Sequence, residues 1–434
     1  MMSGINITEC GAVGDGRSLN TGAIAKAIEK CQNLGGGTVI VPAGVFLTGP
    51  LNLKSNITLF LDSGAKLVFS DEKDKYDIIN TFWEGKNCKA YSPQIFAENE
   101  ENVSIIGKGI IDGQGRTWWE EHRNKSLNFP RPRMIGFQNC KNVSVEGVTL
   151  IDSPSWTINP IFCENIIIDK VKIYNPGDSP NTDGIDPDSC KNVHVSNCHI
   201  DVGDDCIAVK AGTESRFPSR PCENITITNC TMVHGHGGVV IGSEMSGNVR
   251  NVTVSNCVFQ GTDRGIRLKT RRGRGGIIED IWANNIIIED TVCPFVINMF
   301  YSCGISHENV ELIASENVCP VNEGTPVIKG VHFSNIAAKG VNSAAGFIYG
   351  LPEMPIKNIT FHNIDIKVAE DAKLERPAMG FNVEPMRKRG FILKNVNSIM
   401  FEHVYISGTE GNDFDFSNVN KVKLLDCEQK TILA

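Results

Sequence analysis

The strongest constraint on this chain is a short template that returns along most of its length. Asn102-Val103-Ser104-Ile105, Asn142-Val143-Ser144-Val145, Asn165-Ile166-Ile167-Ile168, Asn192-Val193-His194-Val195, Asn224-Ile225-Thr226-Ile227 and Asn251-Val252-Thr253-Val254 each set a turn residue before a β-branched strand. Later copies are Val331-His332-Phe333, Asn358-Ile359-Thr360-Phe361 and Ile399-Met400-Phe401, and a second Asn often follows, as at Asn197, Asn229, Asn256, Asn335 and Asn363. Short strands recurring every 23 to 32 residues or so, without helices between them, specify a parallel β-helix rather than a βαβ fold. Hairpin folds are disfavoured because Asn-Gly and Asp-Gly turns do not separate consecutive strands. The Leu spacing of a leucine-rich repeat is missing. Solenoids run long as one unit, so the expectation is an all-β fold: a single-domain parallel β-helix over residues 1–434.

Such a stack needs its open end covered, and the first 35 or so residues have the character of a lid. Ile7 to Val13 reads as a strand and Ala23 to Cys31 as a helix, with Ile24, Ala27, Ile28 and Cys31 on one face and Asn20 or Thr21 as its cap. Two insertions break the repeat. Lys73 to Tyr91 carries Tyr76, Phe82, Trp83 and Tyr91; Gly113 to Arg133 carries Trp118, Trp119, Phe129, Arg131 and Arg133. Aromatic side chains on such segments more often form a satellite cluster than a binding site, though both segments precede the central stretch and would wall one end of it.

The formal net charge of −8 argues against nucleic acid as a partner, and no run of about 18 apolar residues indicates a membrane span. The opening Met1-Met2-Ser3-Gly4-Ile5-Asn6-Ile7 lacks the charged and apolar regions of a leader, so the expected compartment is the cytoplasm. Fifteen Cys fit that expectation if they are thiols. Cys140, Cys163, Cys190 and Cys222 each stand two places before a template Asn, while Cys198, Cys230 and Cys257 follow a later one, so equivalent positions would stack as interior ladders. No Cys or His spacing of the zinc type occurs.

Four polar clusters interrupt the repeat between Asn181 and Lys269: Asn181-Thr182-Asp183, Gly203-Asp204-Asp205, Gly235-His236-Gly237 and Arg267-Leu268-Lys269. The steps from Asp183 to Asp204, His236 and Arg267 are about 21, 32 and 31 positions, each one coil, so stacking at roughly 4.8 Å would gather them on one patch. Gly203 allows a bend that lets the adjacent Asp204 and Asp205 both reach that patch. Three carboxylates so close cannot all ionise comfortably, and a protonated acid beside ionised ones is what glycoside hydrolysis uses. Stacked Asp residues also bind Ca²⁺ or cap turns, an alternative the residues alone leave open. Arg267 and Lys269 alternate with Ile266 and Leu268, which points two cations together, as an anionic ligand would want. Arg271, Arg272 and Arg274 read as a solvated loop as readily as part of a site. His234, Asp186 and Asp188 read as supporting residues.

In that order, the four clusters resemble the signature motifs of the polygalacturonase family of pectin-degrading glycoside hydrolases, over nearly the whole chain. Gly237-Gly238-Val239, the Gly242 to Gly247 segment with Glu244, Ser153-Pro154-Ser155-Trp156 and Tyr91-Ser92-Pro93 are similar to the exo-acting branch. The resemblance implies a right-handed parallel β-helix that hydrolyses α-1,4-galacturonosyl bonds with inversion and releases galacturonic acid from the non-reducing end. It implies Asp204 as general acid, Asp183 and Asp205 as the residues that activate water, and His236 as support for the acid and the sugar. Arg267, Lys269, Asn181, Glu244, Trp156 and Arg131 would bind substrate, an oligogalacturonide or pectin fragment, with no cofactor and no metal. A rhamnogalacturonan hydrolase, a pectate lyase-like enzyme and a non-catalytic carbohydrate-binding β-helix are the alternatives.

Overall fold

A computed structural model describes residues 4–427 of the protein, which fall into two compact units, one ending at Asp205 and one beginning at Cys206. In the first unit, strands Gly37–Val41, Ile57–Leu61, Glu101–Gly107, Lys141–Glu146, Glu164–Asp169 and Lys191–Ser196 pair in parallel, each with the next. A second parallel ladder runs from Gly44–Thr48 through Ala65–Phe69, Ile110–Asp112, Thr149–Ile151 and Lys172–Tyr174 to His199–Val202. A third joins Leu51–Asn52, Ile95–Glu98, Ile135–Gln138 and Ile158–Ile161. Each coil thus contributes to three ladders, as a parallel β-helix requires. The register stacks Val103, Val143, Ile166 and Val193 in the interior, all buried. Ser104, Ser144, Ile167 and His194, one position on, form the outward row at period two.

The template Asn has a backbone cause. Asn56, Asn102, Asn142, Asn165 and Asn192 have φ of 62°, 57°, 52°, 59° and 57°, the left-handed region that Asn tolerates better than other side chains except Gly. Each amide then donates to the one below: Asn102 to Asn56 at 2.8 Å, Asn142 to Asn102 at 3.0 Å, Asn165 to Asn142 at 2.9 Å and Asn192 to Asn165 at 2.9 Å. One residue type turns the corner and ties successive corners together.

The second unit repeats the plan with longer strands: Cys222–Thr228, Val249–Gln260, Ile277–Glu289, Val327–Val341, Lys357–Val368, Arg389–Ser407 and Phe414–Leu425 pair successively in parallel. A further ladder joins Gly237–Ile241, Arg264–Lys269, Cys293–Asn298 and Ala344–Tyr349. Its interior is filled by larger rings. Phe333, Phe361 and Phe401 are buried and stack in register, Phe333 on Phe361 at 4.7 Å between centroids and Phe361 on Phe401 at 5.1 Å, while the buried Phe295 and Phe391 of the neighbouring ladder meet Phe361 edge-on.

The lid is helix α1 (Thr21–Asn33), which buries Ile24, Ala27, Ile28 and Cys31, the face expected from the sequence. Its capping differs from expectation. Asn20 holds the N-cap position, but its Oδ1 accepts from the Val13 N–H at 2.7 Å and its Nδ2 donates to the Val13 carbonyl at 3.1 Å, so it pins the preceding segment instead. The Cys ladders are interior: Cys140, Cys163 and Cys190 are buried in the first unit, Cys222, Cys230 and Cys257 in the second, and all fifteen cysteines are free. The Cys140 N–H donates to the Cys163 sulfur at 3.3 Å. Burial, helped by Cys190 and opposed by the bonds to Cys140, pushes the Cys163 thiol well above its ordinary pKa, as expected of inert packing residues.

Neither insertion is an irregular loop. The first forms an antiparallel hairpin, Ile78–Trp83 with Lys86–Tyr91, and the second contains helix α2 (Gly115–Arg123). Tyr76, Tyr91 and Trp118 pack edge-on with centroids 5.2 to 6.5 Å apart, and Leu127 and Phe129 close the cluster. Most of the aromatic content therefore fastens the hairpin to α2.

Candidate active site

In the first unit, two backbone bonds set the spacing of the acidic motifs. The Thr157 N–H donates to the Asp183 carbonyl at 2.9 Å, and the Gly184 N–H donates to the Asp205 carbonyl at 3.0 Å. Asp183 is thereby fixed in the coil beside Asp205. Asn181, at φ 51°, turns the chain into this position, and the buried Thr182 ties back to Ser179 through paired hydroxyls at 2.5 Å. Gly203 and Asp204 form a bend between the His199–Val202 strand and the Asp205–Val209 strand, so adjacent carboxylates escape the alternation of a regular strand. Asp204 Oδ1 accepts the Asp205 N–H at 2.9 Å, which holds the bend.

The result is three carboxylates, each offering an oxygen within 4.8 Å of the other two. Asp183 and Asp205 are buried at 3% and 1% exposure, while Asp204 is half-buried. Oxygens so placed can share a proton, hold a water, or accept a divalent cation.

Arg131 ties the second insertion to this cluster. Its guanidinium donates to the Pro154 carbonyl at 2.9 Å, the Pro180 carbonyl at 2.6 Å and Asn181 Oδ1 at 2.7 Å. Burial lowers its pKa to about 10, against the opposing pull of Asp183, Asp204 and Glu84. Trp156, one of the expected substrate residues, is buried and stacked on Trp83 at 4.5 Å and 21°. The Arg133 guanidinium lies 5.1 Å from the Trp156 ring, and Arg133 also bonds the Phe82 carbonyl. Trp156 is thus a clamped wall residue rather than an exposed platform. Arg133 is buried and feels Asp188 and Asp186, in keeping with a supporting place for both acids.

In the second unit, His236 occupies the bend between the Thr231–His234 and Gly237–Ile241 strands. The strand Arg264–Lys269 pairs Arg267 with Val240 on one side and Val296 on the other, and Lys269 with Asn298. Its cations are not surface groups as the alternation implied. Arg267 is 2% exposed and Lys269 is 7% exposed, because Tyr301 covers them, its ring 5.9 Å from the Arg267 guanidinium and 5.3 Å from the Lys269 ammonium. Glu244 is buried too, with its carboxylate 3.9 Å from Lys210. Burial pushes Glu244 up, but Lys210, Arg274 and Lys269 outweigh it, so its carboxyl is held below the usual range. Lys269 and Glu244 therefore belong to one buried charge network.

The basic run beyond Lys269 is buried scaffold, which overturns the solvated loop among its two readings. Arg272 makes a two-pronged contact with Glu353 at 2.6 and 2.9 Å and donates to the Leu312 and Ser315 carbonyls at 3.0 and 2.7 Å. Arg274 holds Glu214 at 2.5 Å and the Ser243 carbonyl at 3.1 Å, and Arg271 holds the Cys303 carbonyl at 3.0 Å. Sequence reasoning missed Tyr301 and Lys210. Tyr301 lies one coil step, about 32 positions, beyond Lys269, so the repeat spacing was the available signal.

Residues 31–378 match the profile of Glycosyl hydrolases family 28. A probable polygalacturonase from Vitis vinifera is 34% identical over 380 residues, which cover 85% of this chain and 75% of that protein. An endo-polygalacturonase from Pectobacterium carotovorum subsp. carotovorum is 33% identical over 305 residues, covering 65% of this chain and 73% of that one. Among solved structures, a hyperthermoactive exopolygalacturonase from Thermotoga maritima superposes with a TM-score of 0.72 at 30% identity, covering 96% of this chain and 92% of its own. Exo- and endo-acting proteins thus both stand among the relatives. The extent of these matches makes the coils a right-handed parallel β-helix and places the chain in glycosyl hydrolase family 28, as a glycoside hydrolase of the polygalacturonase family.

Proposed function

We propose that this protein is an exo-acting polygalacturonase that removes galacturonic acid from the non-reducing end of oligogalacturonides or pectin fragments, with inversion. The observation that carries the reading is the carboxylate trio within 4.8 Å. In this reading one carboxyl of the trio protonates the leaving oxygen while the other two hold and polarise the attacking water. Asp204, the most accessible of the three, is assigned as the acid; Asp183 and Asp205, fixed by the backbone bonds between their coils, are assigned to the water. For His236, Arg267 and Lys269 the family's roles in holding sugar and carboxylate are carried over from motif position. The hairpin and α2 support exo action, because a segment ordered by its own aromatic cluster can close one end of a cleft.

The spacing also favours a second reading. Inverting enzymes typically keep their two carboxyl groups about 6.5–9.5 Å apart and retaining ones about 5–5.5 Å, and the trio lies nearer the shorter range. Inversion survives here only if two acids hold one water jointly. Proton NMR of the first-formed product decides: the β-anomer supports the assignment, and the α-anomer would make one of the buried aspartates a nucleophile. Chromatography at early times tests the mode, since galacturonic acid alone indicates exo action and mixed oligomers indicate endo action.

A further inference from the structure

In the second unit, the sheet face that carries Arg267 and Lys269 changes character within one coil. Pairing sets Val296 beside Arg267, followed by Phe347 and Ile392, while Asn298, Tyr349 and Lys394 continue the row of Lys269. Ile266, Leu268 and Phe295 fill the interior, so at period two both of these rows point outward. An outward apolar row has to be covered, and Val296 and Phe347 are 1% and 0% exposed. Their cover is a strap, residues 375–386, whose Ala378, Val383 and Met386 share one apolar cluster with them.

The strap is seated firmly. At its base the Glu375 N–H donates to the Met386 carbonyl at 3.0 Å and the Met386 N–H donates to the Glu375 carbonyl at 2.9 Å. Arg264, on the same strand as Arg267, donates to the Arg376 and Pro377 carbonyls at 2.8 and 3.1 Å. Asn298, the neighbour of Lys269, donates from its amide to the Met379 carbonyl at 3.1 Å, and the Phe381 N–H donates to the Phe300 carbonyl at 2.9 Å. Gly380 lies so close that a Cβ there would strike the Asn298 amide and sit 2.8 Å from the Phe300 carbonyl. These bonds hold the strap on the coil immediately beyond the cationic pair.

Coils are spaced at roughly 4.8 Å, near the length of one sugar unit in a polysaccharide. A sugar chain anchored at Arg267 and Lys269 therefore advances by about one unit toward the C-terminal coils before it meets the strap. Resting on the polygalacturonase reading, we propose that residues 375–386 are a length-selecting stop, which makes short oligogalacturonides the preferred substrate class and disfavours polygalacturonate. A polymer has to lift off the sheet at the strap and loses hydrogen bonds there; a short chain that ends before the strap keeps them. The strap acts by excluding sugar from the face it covers, without touching the reacting bond.

The test compares kcat/KM for trigalacturonate and for polygalacturonate, counted per chain end, in the unmodified chain, in a chain with residues 376–385 replaced by Asn-Gly, and in Gly380→Ala. Because Glu375 and Met386 exchange both backbone bonds, a two-residue turn rejoins the cut. Excision should raise the polygalacturonate value about tenfold relative to that for trigalacturonate, the scale of one or two recovered hydrogen bonds. Gly380→Ala, which pushes the strap off Asn298, should move the ratio in the same direction. An unchanged or falling ratio in the folded, excised chain overturns the stop. Excision also bares Val296 and Phe347, and if that chain does not fold, the Gly380→Ala ratio decides alone. Absence of hydrolysis of both substrates by the unmodified chain would sink the polygalacturonase reading and the stop with it, an outcome distinct from activity on both with an unmoved ratio.

Discussion

Replacing Arg272 by Met tests whether the basic run is scaffold. The Arg272 and Glu353 side chains are 4% and 2% exposed, and their contact comprises two charge-assisted bonds, at 2.6 and 2.9 Å. Arg272→Met keeps most of the side-chain volume but leaves a buried carboxylate without its cation and the carbonyls of Leu312 and Ser315 without a donor. Removing one partner of a buried pair costs about 3–5 kcal/mol, and the two carbonyls add on the order of 1 kcal/mol each where water does not reach them. Urea unfolding at neutral pH should show a loss of at least about 3 kcal/mol with an unchanged slope. The pH dependence gives the sign. Burial alone would raise the Glu353 carboxyl, but Arg272 and backbone bonds hold it below the ordinary 4.5, so its contribution is present above that value and lost as pH falls through the folded one. In the variant burial is unopposed by Arg272, the carboxyl rises, and the deficit should shrink as acidification protonates Glu353. Adding Glu353→Gln should recover part of the loss by removing the stranded charge. A single-variant cost below about 1 kcal/mol, typical of exposed pairs, would refute the reasoning, as would a deficit that grows on acidification.

Three further outcomes are expected. Asp204→Asn should lower turnover on polygalacturonate by about 10²-fold to 10⁴-fold, the usual loss for a general acid, with substrate binding retained; a near-normal rate would remove Asp204 from that role. Lys269→Met and Arg267→Gln should weaken binding of galacturonate-containing substrates and also lower the unfolding midpoint, because both cations are buried under Tyr301 and Lys269 offsets Glu244. Unchanged stability would mean that these cations are not buried in solution. Thiol titration under denaturing, non-reducing conditions should find nearly fifteen sulfhydryls, and a stable pair in mass mapping would contradict the ladder packing.

What was legible in the sequence is what repeats. The template Asn shows its place because a backbone that must turn left-handed at each corner leaves few residue types to choose from, and Asn alone adds a side-chain ladder. The buried face of α1 shows because a 3.6-residue period has no other use in a chain of strands. Asp183, Asp204 and Asp205 show because coil spacing converts about 21 positions of sequence into contact distance, and the backbone bonds between their coils confirm that conversion.

What was not legible is what breaks the repeat or covers it. Period two separates the cations of Arg264–Lys269 from its apolar residues, but it is silent on what lies over the cationic face; Tyr301, a coil later, turns that face into interior. A run with three arginines among glycines has the composition of a solvated loop. It is buried here because Glu353, Glu214 and carbonyls from distant segments converge on it, partners as far as 81 positions away. The insertions escaped for the same reason. Nothing local in Lys73–Tyr91 or Gly113–Arg133 marks a hairpin docked on a helix, since the docking depends on Tyr76, Tyr91 and Trp118 meeting across both segments. Reasoning by repeat therefore succeeds for the coils and the acids they carry, and fails where specificity would reside, in segments whose partners lie outside the period. A pocket of about 590 Å³ between Trp83 and Arg123 illustrates the point: apart from Pro180 its lining comes from the two insertions, so no repeat spacing foretells it.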